Sequence, residues 1–140
     1  MATDIPRMKS CVFYFSRTGN TKRLAEAIAE QINAPIFSIG SIEPSAVEAY
    51  DTVILGTPVE GAKPALETTA FVGQLPKGQG KKVVIFCTYR LFGNERTMKI
   101  LEKALVERGY ETILKVSKKG MKSGQPADFS ELLGKVKRIF

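Results

Sequence analysis

The stretch Ser10-Cys11-Val12-Phe13-Tyr14-Phe15-Ser16-Arg17-Thr18-Gly19-Asn20-Thr21 decides the fold. Its first half, Ser10 to Phe15, is a continuous β-rich apolar run. Such runs suit strands buried on both faces of a parallel sheet. Its second half packs the hydroxyls of Ser16, Thr18 and Thr21 and the amide of Asn20 around Gly19. Gly19 permits positive φ and close backbone approach. Beyond the loop, Leu24, Ile28 and Ile32 recur at spacing four, flanked by Ala25 and Ala29, as on an amphipathic helix. Asn33 and Pro35 stop that helix. The loop therefore feeds a helix N-terminus. Free N–H groups and the positive end of the helix dipole make it an anion cradle, suited to a phosphate. Hydroxyl and amide residues also cap helices, but capping needs one such residue, not four.

Outward from this stretch, short apolar runs alternate with helical patterns. Ile36 to Ile39 reads as a second strand. Ser45 with Glu48 reads as a capping box opening a brief helix. Asp51 to Gly56 is a third strand, and Pro64 can start a helix running to about Val72. Lys82 to Cys87 is a fourth strand. Asn94 can cap a helix with the stripe Met98, Leu101 and Leu105, ending at Gly109. Thr112 to Val116 is a fifth strand. Asp128 with Glu131 caps a last helix, with Phe129, Leu132, Leu133 and Val136 on its inner face. Five strands alternating with helices predict a parallel sheet covered on both faces. Ligands of such sheets bind beyond the carboxyl ends of the strands. The loops 16–21, 56–63, 88–94 and 117–127 are the ones to inspect.

Composition narrows the class. The 140 residues suit one domain, 1–140, with no repeat, low-complexity tract or linker. The apolar share of 44 % and charged share of 25 % exclude a collagenous, coiled-coil or disordered chain. No apolar run reaches the roughly 18 residues of a membrane span, and the first residues show no secretory signal. The two cysteines, Cys11 and Cys87, sit inside apolar runs, which fits a reducing, cytoplasmic setting. There is no histidine, so histidine-dependent catalysis and histidine metal sites are excluded. No metal site and no catalytic acid, base or nucleophile is expected.

The run Val12 to Thr21 resembles the first strand and phosphate loop of flavodoxins. The order of elements matches that family along nearly the whole chain. The resemblance implies a three-layer α/β/α sandwich with a five-stranded parallel sheet in the order 2-1-3-4-5. It also implies a non-covalent FMN. Its phosphate would be held by the hydroxyls of Ser16, Thr18 and Thr21 and by backbone N–H groups around Arg17, Gly19 and Asn20. By the same resemblance, Thr57, Pro58, Val59, Glu60 and Gly61 cover the inner flavin face. The Glu60–Gly61 peptide there would turn on reduction to present its carbonyl. The loop Thr88, Tyr89, Arg90, Phe92, Gly93 and Asn94 would cover the outer face. Tyr89 and Phe92 are both candidates to stack on the flavin, Tyr89 being preferred. Arg90 and Asn94 depart from the family, which tends to carry Gly and Asp there. Val59 stands where many relatives have an aromatic.

The net charge of +7 is uneven: residues 1–70 carry −2 and residues 71–140 carry +9. Most flavodoxins are acidic, so this is a departure. Arg17, Arg90, Lys118, Lys119 and Lys122 are expected at the binding edge, the three lysines in the loop after the fifth strand. A unit charge ~10 Å away in water is worth about 0.4 kcal/mol, on the order of 20 mV for one electron. The expectation is an FMN-binding electron carrier rather than an enzyme, whose reduced form is less disfavoured than in an acidic relative. Its redox partners would be acidic at the contact, and the chain itself monomeric. Two alternatives share the fold: an FMN-dependent NAD(P)H or quinone reductase, and an FMN-free interaction module. Cys11 and Arg17 match the spacing of small tyrosine phosphatases, but Cys11 lies too deep in its strand to be the nucleophile. None of the nucleic-acid-binding motifs appears.

Overall fold

The computed structural model describes residues 9–122 and 125–140. Five strands run parallel: β1 (Ser10–Tyr14), β2 (Ile36–Ser38), β3 (Thr52–Glu60), β5 (Lys82–Tyr89) and β6 (Glu111–Lys119). They lie in the order β2-β1-β3-β5-β6. A two-residue strand β4 (Lys63–Pro64) turns back antiparallel on the end of β3. Leaving β4 aside, this is the expected order 2-1-3-4-5. The helices are α1 (Asn20–Ile32), α2 (Leu66–Gly73), α3 (Asn94–Glu107) and α4 (Ser130–Lys137).

Alternation along the strands builds two cores, because successive side chains point to opposite faces. Cys11, Phe13, Val53, Leu55, Val83, Ile85 and Cys87 meet Phe71 and Val72 of α2 and Met98, Leu101 and Leu105 of α3. Val12, Ile54, Val84, Phe86 and Val116 meet Leu24 and Ile28 of α1 and Leu132 and Val136 of α4. Most of these side chains are fully buried, each worth roughly 1.5–3 kcal/mol relative to exposure. The two cores hold the carboxyl ends of β1, β3, β5 and β6 side by side, which positions the loops described below.

Several local expectations change. The Ser45–Glu48 pair caps nothing: Pro44–Ala49 is a 3₁₀ segment that follows Glu43 without a side-chain cap. Pro64 does not start α2. It pairs with Val59 in β4, where its missing N–H is tolerated at a strand edge, and α2 begins at Leu66 after Ala65. Asn94 does not cap α3 but lies inside it. Gly93 holds the cap position at φ 96, and the Asn94 amide donates to Ser117 Oγ at 3.0 Å. Asp128 does not cap α4 either: Phe129 holds that position without a side-chain cap, and Asp128 accepts from the N–H and hydroxyl of Ser130 just before the helix. β3 runs four residues further than expected and β5 two. Lys118 and Lys119 belong to β6, not to the loop after it.

Candidate functional site

The loop after β1 is built around the start of α1. The Phe15 N–H donates to the Gly56 carbonyl at 3.1 Å, anchoring the loop to β3. Gly19 N–H donates to Ser16 Oγ at 3.1 Å. Gly19 itself is left-handed at φ 98, a conformation that glycine adopts without a Cβ penalty. No side chain caps α1 and its first turn holds no acidic residue. The positive end of the helix dipole is thus left for an anion. The Asn20 amide donates to the Met121 carbonyl at 3.1 Å. Its buried Oδ1 has no hydrogen-bond partner among the described residues. Thr21 Oγ1 and Thr88 Oγ1 share a buried 2.7 Å hydrogen bond, which joins the start of α1 to the end of β5. Thr18 is exposed.

Arg17 reaches away from the helix terminus. Its guanidinium donates to both carboxylate oxygens of Glu60, at 2.5 and 2.9 Å, and to Glu67 at 2.9 Å. It also lies 4.9 Å above the Phe15 ring. These hydrogen bonds hold the Glu67 carboxyl below its usual range and push the Arg17 value up. Arg17 is therefore balanced by two carboxylates and adds no free charge to the binding edge.

The next two loops form a slot. β3 and β4 make a tight hairpin through Gly61 and Ala62, at φ 61 and 62. Val59, Gly61 and Ala62 face Arg90, Leu91 and Phe92 across a groove of about 490 Å³. Leu91 and Phe92 are 71 % and 72 % exposed. The loops approach closely at Gly93: a Cβ there would stand 2.8 Å from Ala62 Cα and 3.1 Å from Val59 Cγ1. Pro58 is half-buried beside the hairpin. Thr57 is fully buried; its hydroxyl donates to the Pro58 carbonyl and accepts from Ala65 N–H and Thr68 Oγ1. Of the two aromatic candidates, Phe92 lines the slot. Tyr89 lines a separate hollow with Asn94, Ser117 and Lys118.

Sequence reasoning missed Glu67, Thr68, Ser117 and the Met121 carbonyl. Each reaches the site from another element, and no local pattern flags it. Both cysteines are fully buried. Burial pushes the Cys11 thiol up and the Cys87 thiol up to about 12, so neither offers a thiolate to a phosphate. Among the described residues no three His, Cys, Asp or Glu side chains gather as metal ligands. None of the helices described is long and apolar enough to cross a membrane.

The flavodoxin domain model matches residues 11–118, more than half of the chain. The chain belongs to the flavodoxin family. An uncharacterized protein of Methanocaldococcus jannaschii is 30 % identical over 108 residues, covering 76 % of this chain and 71 % of its relative. Oxidised flavodoxin 1 from Bacillus cereus superposes with a TM-score of 0.72 at 26 % identity, covering 94 % of this chain and 93 % of that one. The two-electron reduced flavodoxin of Megasphaera elsdenii gives a TM-score of 0.75 at 24 % identity, covering 91 % and 96 %. In this flavodoxin-family chain the residues present fit a flavin mononucleotide. The uncapped α1 terminus suits a phosphate. The unpartnered Asn20 Oδ1 suits a hydroxyl donor. The exposed apolar walls of Leu91 and Phe92 suit a flat ring system.

Proposed function

We propose that the chain binds FMN without a covalent bond and carries electrons between redox proteins. The observation that carries this reading is the α1 terminus, left uncapped beside the buried Asn20 carbonyl oxygen, which has no donor among the described residues. A buried acceptor without a partner costs about 1–3 kcal/mol, which a polyhydroxyl ligand would recover. When bound, the flavin supplies the electron chemistry, and the protein tunes it by contacts and charge. The Gly19 to Thr21 backbone and the hydroxyls of Ser16 and Thr18 would bind the phosphate. Thr21 and Thr88 lock that loop to β5. Val59 and Phe92 would exclude water from the two faces of the ring, and Gly61 and Gly93 let the backbone approach closely. Arg90, Lys118, Lys119 and Lys122 would face an acidic partner, since like charges repel and opposite charges steer encounter.

Purified protein titrated with FMN and followed by visible absorption and flavin fluorescence tests the reading. One-to-one saturation with a shifted flavin spectrum, and weaker binding of riboflavin, is the expected result. Failure to bind either flavin at high concentration would overturn it. Electron transfer to a redox protein without turnover of a nicotinamide or quinone substrate separates a carrier from a reductase.

A further inference from the structure

Thr57 is the last buried residue of β3 before the chain leaves the core for the hairpin. A threonine hydroxyl has one donor and two acceptor positions. Thr57 uses all three within the protein. It donates to the Pro58 carbonyl at 3.0 Å and accepts from Ala65 N–H at 3.1 Å and Thr68 Oγ1 at 3.0 Å. Thr57, Ala65 and Thr68 are all fully buried. The bond to Ala65 closes the chain across a separation of eight residues, at the point where it enters α2. The hairpin that carries Val59, Gly61 and Ala62 to the slot therefore has its base tied by one hydroxyl.

The other restraints on the hairpin are weaker or act in one direction. The pairing of Val59 with Pro64 and of Glu60 with Lys63 holds the hairpin to itself, not to the rest of the molecule. The close approach of Gly93 to Ala62 and Val59 blocks only inward movement. The Arg17–Glu60 pair lies at the surface, its side chains 49 % and 34 % exposed, where such pairs contribute little. We propose that Thr57 is a positioning residue for the flavin, ordering the hairpin wall through Ala65 and Thr68 before the ring arrives. This rests on the flavin reading above. Neither Thr57 nor Thr68 lines the slot, so the effect passes through the backbone of the hairpin. A wall already in its bound geometry spares the ligand the cost of ordering it. The phosphate loop stands on another element, so FMN and riboflavin should feel the wall equally.

The test is a parallel titration of the full chain and its variants with FMN and riboflavin, followed by flavin fluorescence well below each unfolding midpoint. Thr57→Val keeps the shape and removes the hydroxyl. It should weaken both flavins by the same factor, about tenfold, because the unpinned wall must be ordered on binding. Thr57→Ser should restore both to about twofold of the parent, since the hydroxyl returns. Thr68→Val removes one of the two donors to Thr57 and should weaken both flavins by about threefold. Loss of fold stability alone would move neither the equal loss nor the rescue by serine. Parent-like affinity in Thr57→Val, or a loss confined to FMN, overturns the inference and leaves the flavin reading standing. So does parent-like affinity in Thr68→Val, which would mean that the Thr57 hydroxyl touches the ligand itself. If Thr57→Val does not fold, Thr68→Val decides by the same criterion. Binding of neither flavin by the unaltered chain overturns the flavin reading and the role of Thr57 with it.

Discussion

Arg17 is the one cation inside the loop after β1, residues 16–21, yet its charge is held by Glu60 and Glu67 rather than left free. Removing it should therefore act through the two carboxylates it leaves unpaired. Arg17→Gln is expected to weaken FMN several-fold and riboflavin hardly at all, because only FMN carries the phosphate. Adding Glu60→Gln and Glu67→Gln should restore FMN affinity, measured by fluorescence titration. A loss that the added substitutions cannot restore would mean that Arg17 contacts the phosphate itself. The pH sign follows from Glu67, whose folded value is lowered from 4.5 chiefly by its hydrogen bond from Arg17. A lowered carboxylate stabilises the fold above its unfolded value, and that contribution is lost as pH falls through the folded value. Denaturant unfolding followed from neutral pH into the acid range should show a smaller acid loss in Glu67→Gln. At this scale the sequence displayed a set of candidate residues but not their pairings. Ser16 to Thr21 are consecutive, so their shared chemistry is visible. Arg17 finds its partners 43 and 50 residues away, and Thr21 finds Thr88 67 residues away. Nothing local encodes those meetings.

The hairpin between β3 and β4 shows where element reading fails and why. Gly61 and Ala62 both have positive φ, the geometry of a type I′ turn, but Gly-Ala lacks the Asn-Gly or Asp-Gly signature that reveals such turns. Pro64 then looks like a helix start. The helical stripes were legible because their period is local: Leu24, Ile28, Met98, Leu101 and Leu105 are buried as their spacing predicts. The hairpin also carries strain. Left-handed geometry costs a residue with a Cβ about 1–2 kcal/mol, so Ala62→Gly should raise stability by about 1 kcal/mol. Gly93→Ala should do the reverse, by about 1 kcal/mol or more, since its Cβ would meet Ala62 and its φ is 96. Urea midpoints of the two variants check both signs. A Gly93→Ala protein as stable as the parent would mean that the two loops do not touch in solution.

For the whole molecule, the parallel sheet was readable from the alternation of elements, because the central strands β1, β3 and β5 are buried on both faces and read as apolar runs, while the strand order came from the resemblance to flavodoxins. The electrostatic surface was only half readable. Arg17 is balanced, and Lys115 is paired with Glu102 at 2.8 Å. The basic edge reduces to Arg90, Lys118, Lys119 and Lys122. Neutralising Arg90 and Lys118 together should lower the midpoint potential of bound flavin by on the order of 20 mV per charge, less screening. Electron transfer to an acidic partner should slow as salt rises, measured by stopped flow, and a salt-independent rate would remove the steering role. The lysines of β6 have a second consequence. Among the described residues, β6 closes one side of the sheet and β2, three residues long, closes the other. A free strand edge is a template on which another polypeptide can align and grow into aggregate. One margin here is too short to serve, and the other carries Lys115, Lys118 and Lys119 along its nine residues. The charge that would steer a partner would thus also oppose edge-to-edge stacking of copies of the chain, and removing it should cost solubility before it costs fold.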